Sequence, residues 1–196
     1  MESDEWRDLL RKRFVLFSVE GTAEGEVIDS LIRHNALVVP HDRLVSDHND
    51  PERLYTRTRK AKDIAARYFN ANYCTDGAEG LTIVRITDTP TAKFDLPRGV
   101  RDLAAVLSFY MKPEIEMLAI HREGAYQEWL NASRKNRSLY PCEFCKRTLG
   151  LKDIKETRFL RAYWDDIDEL VGAIEKYART AFRRADELML IDLLAD

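Results

Sequence analysis

Apolar residues run almost without interruption from Phe14 to Val19, and the run ends at Glu20 and Gly21. A continuous apolar run of this length is typical of a strand that is covered on both faces, as in a parallel sheet. Over residues 23–34 the apolar positions recur three and four apart, which predicts an amphipathic helix. Residues 36–39 are apolar again and predict a second strand. The order strand, helix, strand is the unit of a parallel α/β sheet.

The same patterns predict further elements along the rest of the chain. Residues 2–12 fit a short helix, residues 52–70 a longer one, and residues 81–86 a third strand that ends at Thr87 and Asp88. Residues 100–110 fit a helical or mixed segment. A proline followed by acidic residues at 113–116 favours a helix start. Helical spacing over residues 154–163 and 167–194 makes the last third helix-rich.

The predicted fold class is therefore α/β, with a small, mainly parallel sheet flanked by helices and a helix-rich C-terminal part. Residues 1–140 are expected to form the α/β domain, and residues 141–196 a helical extension packed on it. The boundary near residue 140 is weakly marked in the sequence, and one single domain over residues 1–196 is the alternative.

Composition excludes several classes of protein. The 196 residues are 45% hydrophobic and 33% charged, which suits one hydrophobic core. The net charge of -3 gives no overall attraction for nucleic acid, although a local basic face remains compatible with it. No apolar run approaches the roughly 20 residues that cross a bilayer. The first residues lack the apolar core of a signal peptide, and three cysteines, an odd number, favour a reducing compartment. We therefore expect a cytoplasmic protein.

Two carboxylates follow predicted strands directly. Glu20 comes after the first strand and Asp88 after the third. Ligands of open α/β sheets bind outside the carboxyl ends of the strands, so neighbouring strands would bring these side chains into one crevice. With Glu24 and Glu116 as further candidates, the crevice would suit Mg²⁺ or Mn²⁺, which prefer carboxylate oxygens. The alternative is that such acids act as ordinary helix caps and dipole partners.

The segment from Val19 to Glu24 reads Val-Glu-Gly-Thr-Ala-Glu, and it resembles the opening of the Toprim domain. This domain occurs in topoisomerases, primases and the OLD-type and RloB-like nuclease groups of defence systems, and the resemblance is closest to the last two. The resemblance implies that Glu20, Glu24 and Asp88 bind a divalent metal ion. Pro90 stands where the family has the second aspartate of an Asp-x-Asp pair.

A second segment extends the resemblance. The stretch from Lys112 to Leu118 is similar to the proline-acid-helix segment of RloB-like proteins and puts Glu116 in the acidic position. In all, the resemblance covers about residues 14–120. It implies a divalent-metal-dependent, phosphodiester-cleaving nuclease, in a defence or mobile-element system, with Glu20 and Asp88 as catalytic residues. Glu20 would also serve as general acid or base.

Two further functions stay open at the level of sequence. Because Pro90 breaks the family pattern, the chain could be a degenerate Toprim-like interaction subunit that binds a partner protein, such as an ATPase, or forms a homo-oligomer. A zinc-stabilised nucleic-acid-binding module is the third alternative. Cys142 and Cys145 form a Cys-x-x-Cys, but no second pair completes the four ligands of a structural zinc. A turn and a core thiol explain this pair more simply.

Basic residues could guide a polyanion to the crevice. They cluster in two stretches, and the candidates for contact with nucleic acid are Arg57, Arg59, Lys60, Arg134 and Lys135. Phosphate contacts need only basic side chains on one face, so this signal is unspecific. A solvated helix face is the alternative for both stretches.

Overall fold

A four-stranded parallel sheet lies at the centre of the computed structural model, which describes residues 5–88 and 93–195. Its strands are β1 (Phe14–Val19), β2 (Leu81–Thr87), β3 (Ala104–Tyr110) and β4 (Leu188–Met189), and they are hydrogen-bonded in that order. Helices cover the sheet. The predicted α/β class, with a small parallel sheet flanked by helices, is confirmed.

Helices account for most of the remaining regular structure. They are α1 (Glu5–Arg11), α2 (Thr22–Arg33), α3 (Ala61–Tyr68), α4 (Met117–Arg122), α5 (Tyr126–Lys135), α6 (Pro141–Arg147), α7 (Thr157–Tyr163) and α8 (Ile167–Thr180). The helix predicted over residues 23–34 is confirmed as α2, within one residue at each end. Among the residues that the structure describes, no helix is both long enough and apolar enough to cross a membrane.

Strand β1 explains why the first apolar run is continuous. Val15, Phe17 and Val19 point into the larger core, which α2, α4 and α8 close. Leu16 points to the opposite face and packs with Ile64 of α3 in the smaller core. Successive side chains of a strand alternate between faces, so a sheet that is covered on both sides requires apolar residues at nearly every position.

The segment beside β1 differs from the prediction. Residues 36–39 form no strand of the sheet, and Leu37 makes an isolated antiparallel bridge to Leu194. The position next to β1 is taken instead by Thr56, whose N–H donates to the Phe17 carbonyl at 2.8 Å. The helix predicted over residues 52–70 is therefore wrong in its first half, and α3 begins only at Ala61.

Local side-chain hydrogen bonds account for the extended conformation near Thr56. The hydroxyl of Thr56 accepts a 3.1 Å hydrogen bond from the N–H of Thr58, and the Ser18 hydroxyl donates to the Thr58 carbonyl at 2.8 Å. Serine and threonine hydroxyls that bond nearby backbone groups compete with helix formation. The segment consequently runs alongside β1 toward the same end of the sheet.

Two predictions for the second half of the chain are wrong. Residues 104–110 form β3 rather than a helical or mixed segment, because Leu107 and Phe109 alternate into the core while the strand pairs with β2. The helix predicted over residues 167–194 ends at Thr180. The apolar residues beyond it form β4 and a short 3₁₀ turn, and Leu190 and Leu193 are buried in the main core.

Candidate functional site

The ends of β1 and β2 lie side by side. The two strands pair in parallel with Val19 opposite Ile86. Glu20 and Asp88 therefore both lie at the carboxyl ends of the strands, on the same side of the sheet. The Thr87 hydroxyl donates a 2.6 Å hydrogen bond to Oε1 of Glu20. The adjacency on which the predicted crevice depends is therefore present in the fold, and Thr87 orients one of its acids.

Glu24 lies over the turn that joins β1 to α2. A Cβ atom on Gly21 would come within 2.9 Å of Oε2 of Glu24, so the carboxylate folds back toward the strand end. Burial raises the pKa of Glu24, and the nearby carboxylates of Glu116 and Glu20 raise it further. Glu24 therefore shares one electrostatic environment with both acids.

Glu116 is the most deeply placed acid of the crevice. It precedes α4, is 3% exposed, and forms an ion pair with the ammonium group of Lys155. Within residues 5–88 and 93–195 neither of its carboxylate oxygens accepts a geometrically sound hydrogen bond. Lys155 is therefore the group that compensates the buried charge of Glu116.

Glu114 extends the acidic cluster toward Asp88. Burial raises the pKa of Glu114, and the charges of Glu116 and Asp88 act in the same direction. The backbone N–H of Cys142 donates to Oε2 of Glu114 at 3.1 Å. The sequence suggested no more than a helix-capping role for Glu114, but the fold brings it to the crevice.

The residue types of this crevice suit a hard divalent cation. Carboxylate oxygens are the ligands that Mg²⁺ and Mn²⁺ prefer. In the described part of the chain, however, no three acidic, histidine or cysteine side chains converge closely enough to hold a metal ion. Lys155 instead supplies positive charge to Glu116. Pro90, which interrupts the Asp-x-Asp pattern, lies outside the described residues.

The Cys-x-x-Cys pair lies near Glu114 and Glu116, and no group of three metal-ligating side chains includes it within the described part of the chain. Cys142 lies in the first turn of α6, and Cys145 is buried with its thiol 3.7 Å from the Glu116 carbonyl. Burial raises the pKa of Cys142, and it raises the pKa of Cys145 to about 12. Zinc ligation and thiol redox chemistry both require the thiolate, which this environment disfavours.

A basic groove flanks the crevice on the β1 side. Arg57, Arg59 and Lys60 belong to the extended segment beside β1, and they line a groove of about 370 Å³ together with Arg53 and Arg67. Arg134 and Lys135, by contrast, lie in the last turn of α5. The first of the two predicted basic stretches thus forms a shaped surface near the strand ends.

Lys155 and Thr87 are the site residues that sequence reasoning missed. Lys155 lies far along the chain in the turn before α7, and nothing in its local sequence indicates an acidic partner. Thr87 ends an apolar strand, where threonine is an ordinary strand residue. Their partners become visible only when the fold brings the segments together.

Comparison of the chain with protein-family models, curated proteins and solved structures gives no match. The likeness to the Toprim domain therefore rests on the residues quoted above.

Proposed function

We propose that the protein is a divalent-metal-dependent, phosphodiester-cleaving nuclease of a Toprim-like type, acting at the crevice formed by Glu20, Glu24, Asp88 and Glu116. One observation carries the proposal. The strand-end acids Glu20 and Asp88 lie at the same end of the sheet, and near them the carboxylate of Glu116 is buried with the half-exposed Lys155 as its ion-pair partner. A cation in the crevice would offset both the burial and the mutual repulsion that raise the pKa of Glu24 and Glu114.

Each acid has a distinct role in this proposal. Asp88, Glu24 and Glu116 would have to move closer together than they lie in the structure to hold Mg²⁺ or Mn²⁺, which when bound polarises a phosphoryl oxygen. Glu20 would move a proton at the scissile phosphate, and the Thr87 hydroxyl holds its carboxylate in place for that task.

The basic groove would position the substrate. Arg57, Arg59 and Lys60 would contact the phosphates of a nucleic-acid strand and direct it toward the strand ends. Such contacts fix the position of a strand without reading its sequence. In a defence or mobile-element system, the substrate would be foreign nucleic acid.

A second function is favoured by the ion pair between Lys155 and Glu116. The lysine neutralises the acid that a metal ion would use. In this alternative the chain is a degenerate interaction subunit that binds a partner protein, such as an ATPase, or another copy of itself. The basic groove would then retain nucleic acid without cleaving it.

Calorimetric titration with Mg²⁺ and with Mn²⁺ separates the two functions. If the crevice binds metal, Asp88→Asn abolishes the binding, whereas Lys155→Met strengthens it by removing a competing cation. Lys152→Met is the matched control, because Lys152 is an exposed lysine of the same turn. Absence of metal binding in both the folded wild type and Lys155→Met would refute the nuclease and favour the interaction subunit.

Cleavage assays on DNA and RNA then test the chemistry. We expect metal-dependent cleavage by the wild type and its loss in Glu20→Gln, with metal binding largely retained. Unchanged cleavage by a folded Glu20→Gln variant would remove Glu20 from the mechanism.

A further inference from the structure

A second cavity, of about 810 Å³, opens beside α2, away from the acidic crevice. Glu24 and Glu26 are two positions apart on this helix, which turns their side chains about 200° from one another. Glu24 faces the crevice, and Glu26 lines the cavity together with residues of α7 and of the segment before Thr56. The volume falls within the range of pockets that hold small molecules.

Glu26 is the feature that points to a ligand. Its side chain is 2% exposed, and its Oε2 atom has no hydrogen-bond donor within the described ranges. Arg161 is the ion-pair partner of Glu26, and its Nε lies 3.4 Å from that oxygen. Burial raises the pKa of Glu26, and the charge of Arg161 opposes this. A buried acceptor that lacks a donor is costly unless a ligand supplies N–H groups.

The walls of the cavity indicate which chemical groups a ligand would carry beyond the N–H groups that contact Glu26. Tyr55, 3% exposed, presents a ring edge that packs against Gly25, where an added Cβ would lie only 2.8 Å away. Arg53 and Arg57 line this cavity and also the basic groove, so the two spaces are neighbours. The walls also carry Asp29, Asp50 and Glu52, and Arg53 is paired with Asp47 and Asp50. A ligand whose head reaches Glu26 would therefore place an anionic tail at Arg57, since arginine favours phosphate.

We propose that this cavity binds a guanine nucleotide, with the base at Glu26 and the phosphate at Arg57. Guanine presents two adjacent donors, N1–H and the 2-amino group, which match the two oxygens of one carboxylate. Adenine, cytosine and uracil each mix donors and acceptors along the corresponding edge, so none offers this pair. Arg161 is 59% exposed, and its guanidinium can turn from Glu26 toward the ligand's phosphate with little loss of packing.

The guanine nucleotide has two sources, a free nucleotide or one residue of a strand that lies in the groove. The proposal goes beyond the nuclease activity and does not depend on it, because no metal ion or crevice acid takes part. All binding measurements are accordingly made in EDTA, so that a failure of the metal site leaves them unaffected.

The first measurement is calorimetric binding of GMP, IMP and AMP to the wild type. IMP lacks the 2-amino group, and losing a hydrogen bond to a charged acceptor weakens binding about tenfold. We expect GMP to bind, IMP to bind about tenfold more weakly, and AMP more weakly still. Equal affinity for GMP and AMP, or no GMP binding at millimolar concentrations, would overturn the proposal.

Variants test the assigned contact. Glu26→Gln should weaken GMP binding by at least about tenfold and reduce the preference over IMP, since an amide offers only one acceptor. Glu175→Gln makes the same change on the exposed face of α8 and should bind GMP as the wild type does. Thermal melting establishes that both variants fold. A folded Glu26→Gln protein with unchanged GMP affinity would contradict the assignment.

Short oligonucleotides identify the source of the ligand. A single-stranded tetramer with one guanine is compared with the same tetramer carrying hypoxanthine. Tighter binding of the guanine tetramer than of GMP would indicate a strand residue. Equal affinity would indicate that the cavity recognises the free nucleotide, and both results support guanine recognition.

Discussion

The hydroxyl of Thr87 and the carboxylate of Glu20 join the ends of β1 and β2 through a hydrogen bond of 2.6 Å. Thr87 is 1% exposed, so the bond is shielded from water on the threonine side. It fixes the direction of an acid that would otherwise rotate. The proposed chemistry requires Glu20 to hold one position, and this contact provides it.

Replacing Thr87 by valine keeps the shape of the side chain but removes the hydroxyl. We expect Thr87→Val to lower the free energy of unfolding by about 1–2 kcal/mol, because a hydrogen bond to a charged acceptor is lost. Urea denaturation measures this effect. Thr87→Ser retains the hydroxyl and should lower the free energy of unfolding by less than Thr87→Val does. Thr87→Ser also removes a buried methyl group, so the decisive result is that of Thr87→Val: an unfolding free energy equal to that of the wild type would mean that the hydrogen bond contributes nothing to stability.

Lys155 is the counter-charge of a buried acid. Removing one partner of a fully buried ion pair costs about 3–5 kcal/mol, and the half-exposed Lys155 should contribute less, about 2 kcal/mol. Lys155→Met is therefore expected to lower the unfolding free energy by that amount in denaturant titrations. Lys152→Met, on the exposed surface of the same turn, should change it by less than about 0.5 kcal/mol.

A double variant provides the internal check on Lys155. When Glu116→Gln is combined with Lys155→Met, the uncompensated charge disappears. The double variant should recover most of the lost stability. If the two single effects simply add, the ion pair has no stabilising role.

Two glycines within helices differ in the space that is free for a Cβ atom. A Cβ atom on Gly25 of α2 would lie 2.8–2.9 Å from the Tyr55 ring, whereas Gly172 of α8 has no heavy atom within 4 Å of its Cβ position. We expect Gly25→Ala to destabilise by about 1–3 kcal/mol through overpacking. Gly172→Ala should stabilise by about 1 kcal/mol, since alanine favours the helix. Thermal melts compare the pair, and equal shifts would contradict the tight contact at Tyr55.

The pKa of Glu24 gives a prediction about pH. Burial, followed by the charges of Glu116 and Glu20, raises the pKa of Glu24 in the folded state above its ordinary value of 4.5. A raised pKa means that the folded state prefers the neutral acid. The resulting stabilisation is present below pH 4.5 and disappears as the pH rises through the folded-state pKa.

Glu24→Gln makes the neutral form permanent. The variant should therefore melt at a higher temperature than the wild type at pH 7, by a few degrees. The difference should vanish near pH 4, where both side chains are uncharged. A difference of the same size at both pH values would assign it to packing rather than to charge.

The sequence predicts the elements that bury apolar residues on a regular period. β1, β2 and α2 follow directly from such patterns. The sequence pattern does not predict β3, because the strand begins with Ala104 and Ala105, residues that are common in helices, and because its pairing partner β2 is set by the fold. No local pattern could reveal that β4, with two residues, completes the sheet.

Some residues of the candidate sites can be predicted from the local sequence, and others become visible only in the fold. That Glu20 and Asp88 end neighbouring strands follows from a general rule about parallel sheets. The pairing of Glu116 with Lys155 depends on two segments far apart in the chain. Glu26 has the sequence signature of an ordinary helix-start acid, and only its burial beside a cavity distinguishes it.

The parallel arrangement of the sheet also has a kinetic consequence. Its strands follow one another without a hairpin, and residues 20–80 separate β1 from β2, while residues 111–187 separate β3 from β4. Closing such long loops consumes chain entropy before the pairing is gained, so folding is slow compared with a helical bundle of equal size. During that interval the apolar strands are exposed to other chains, and dilute conditions or a chaperone would favour recovery of the native protein.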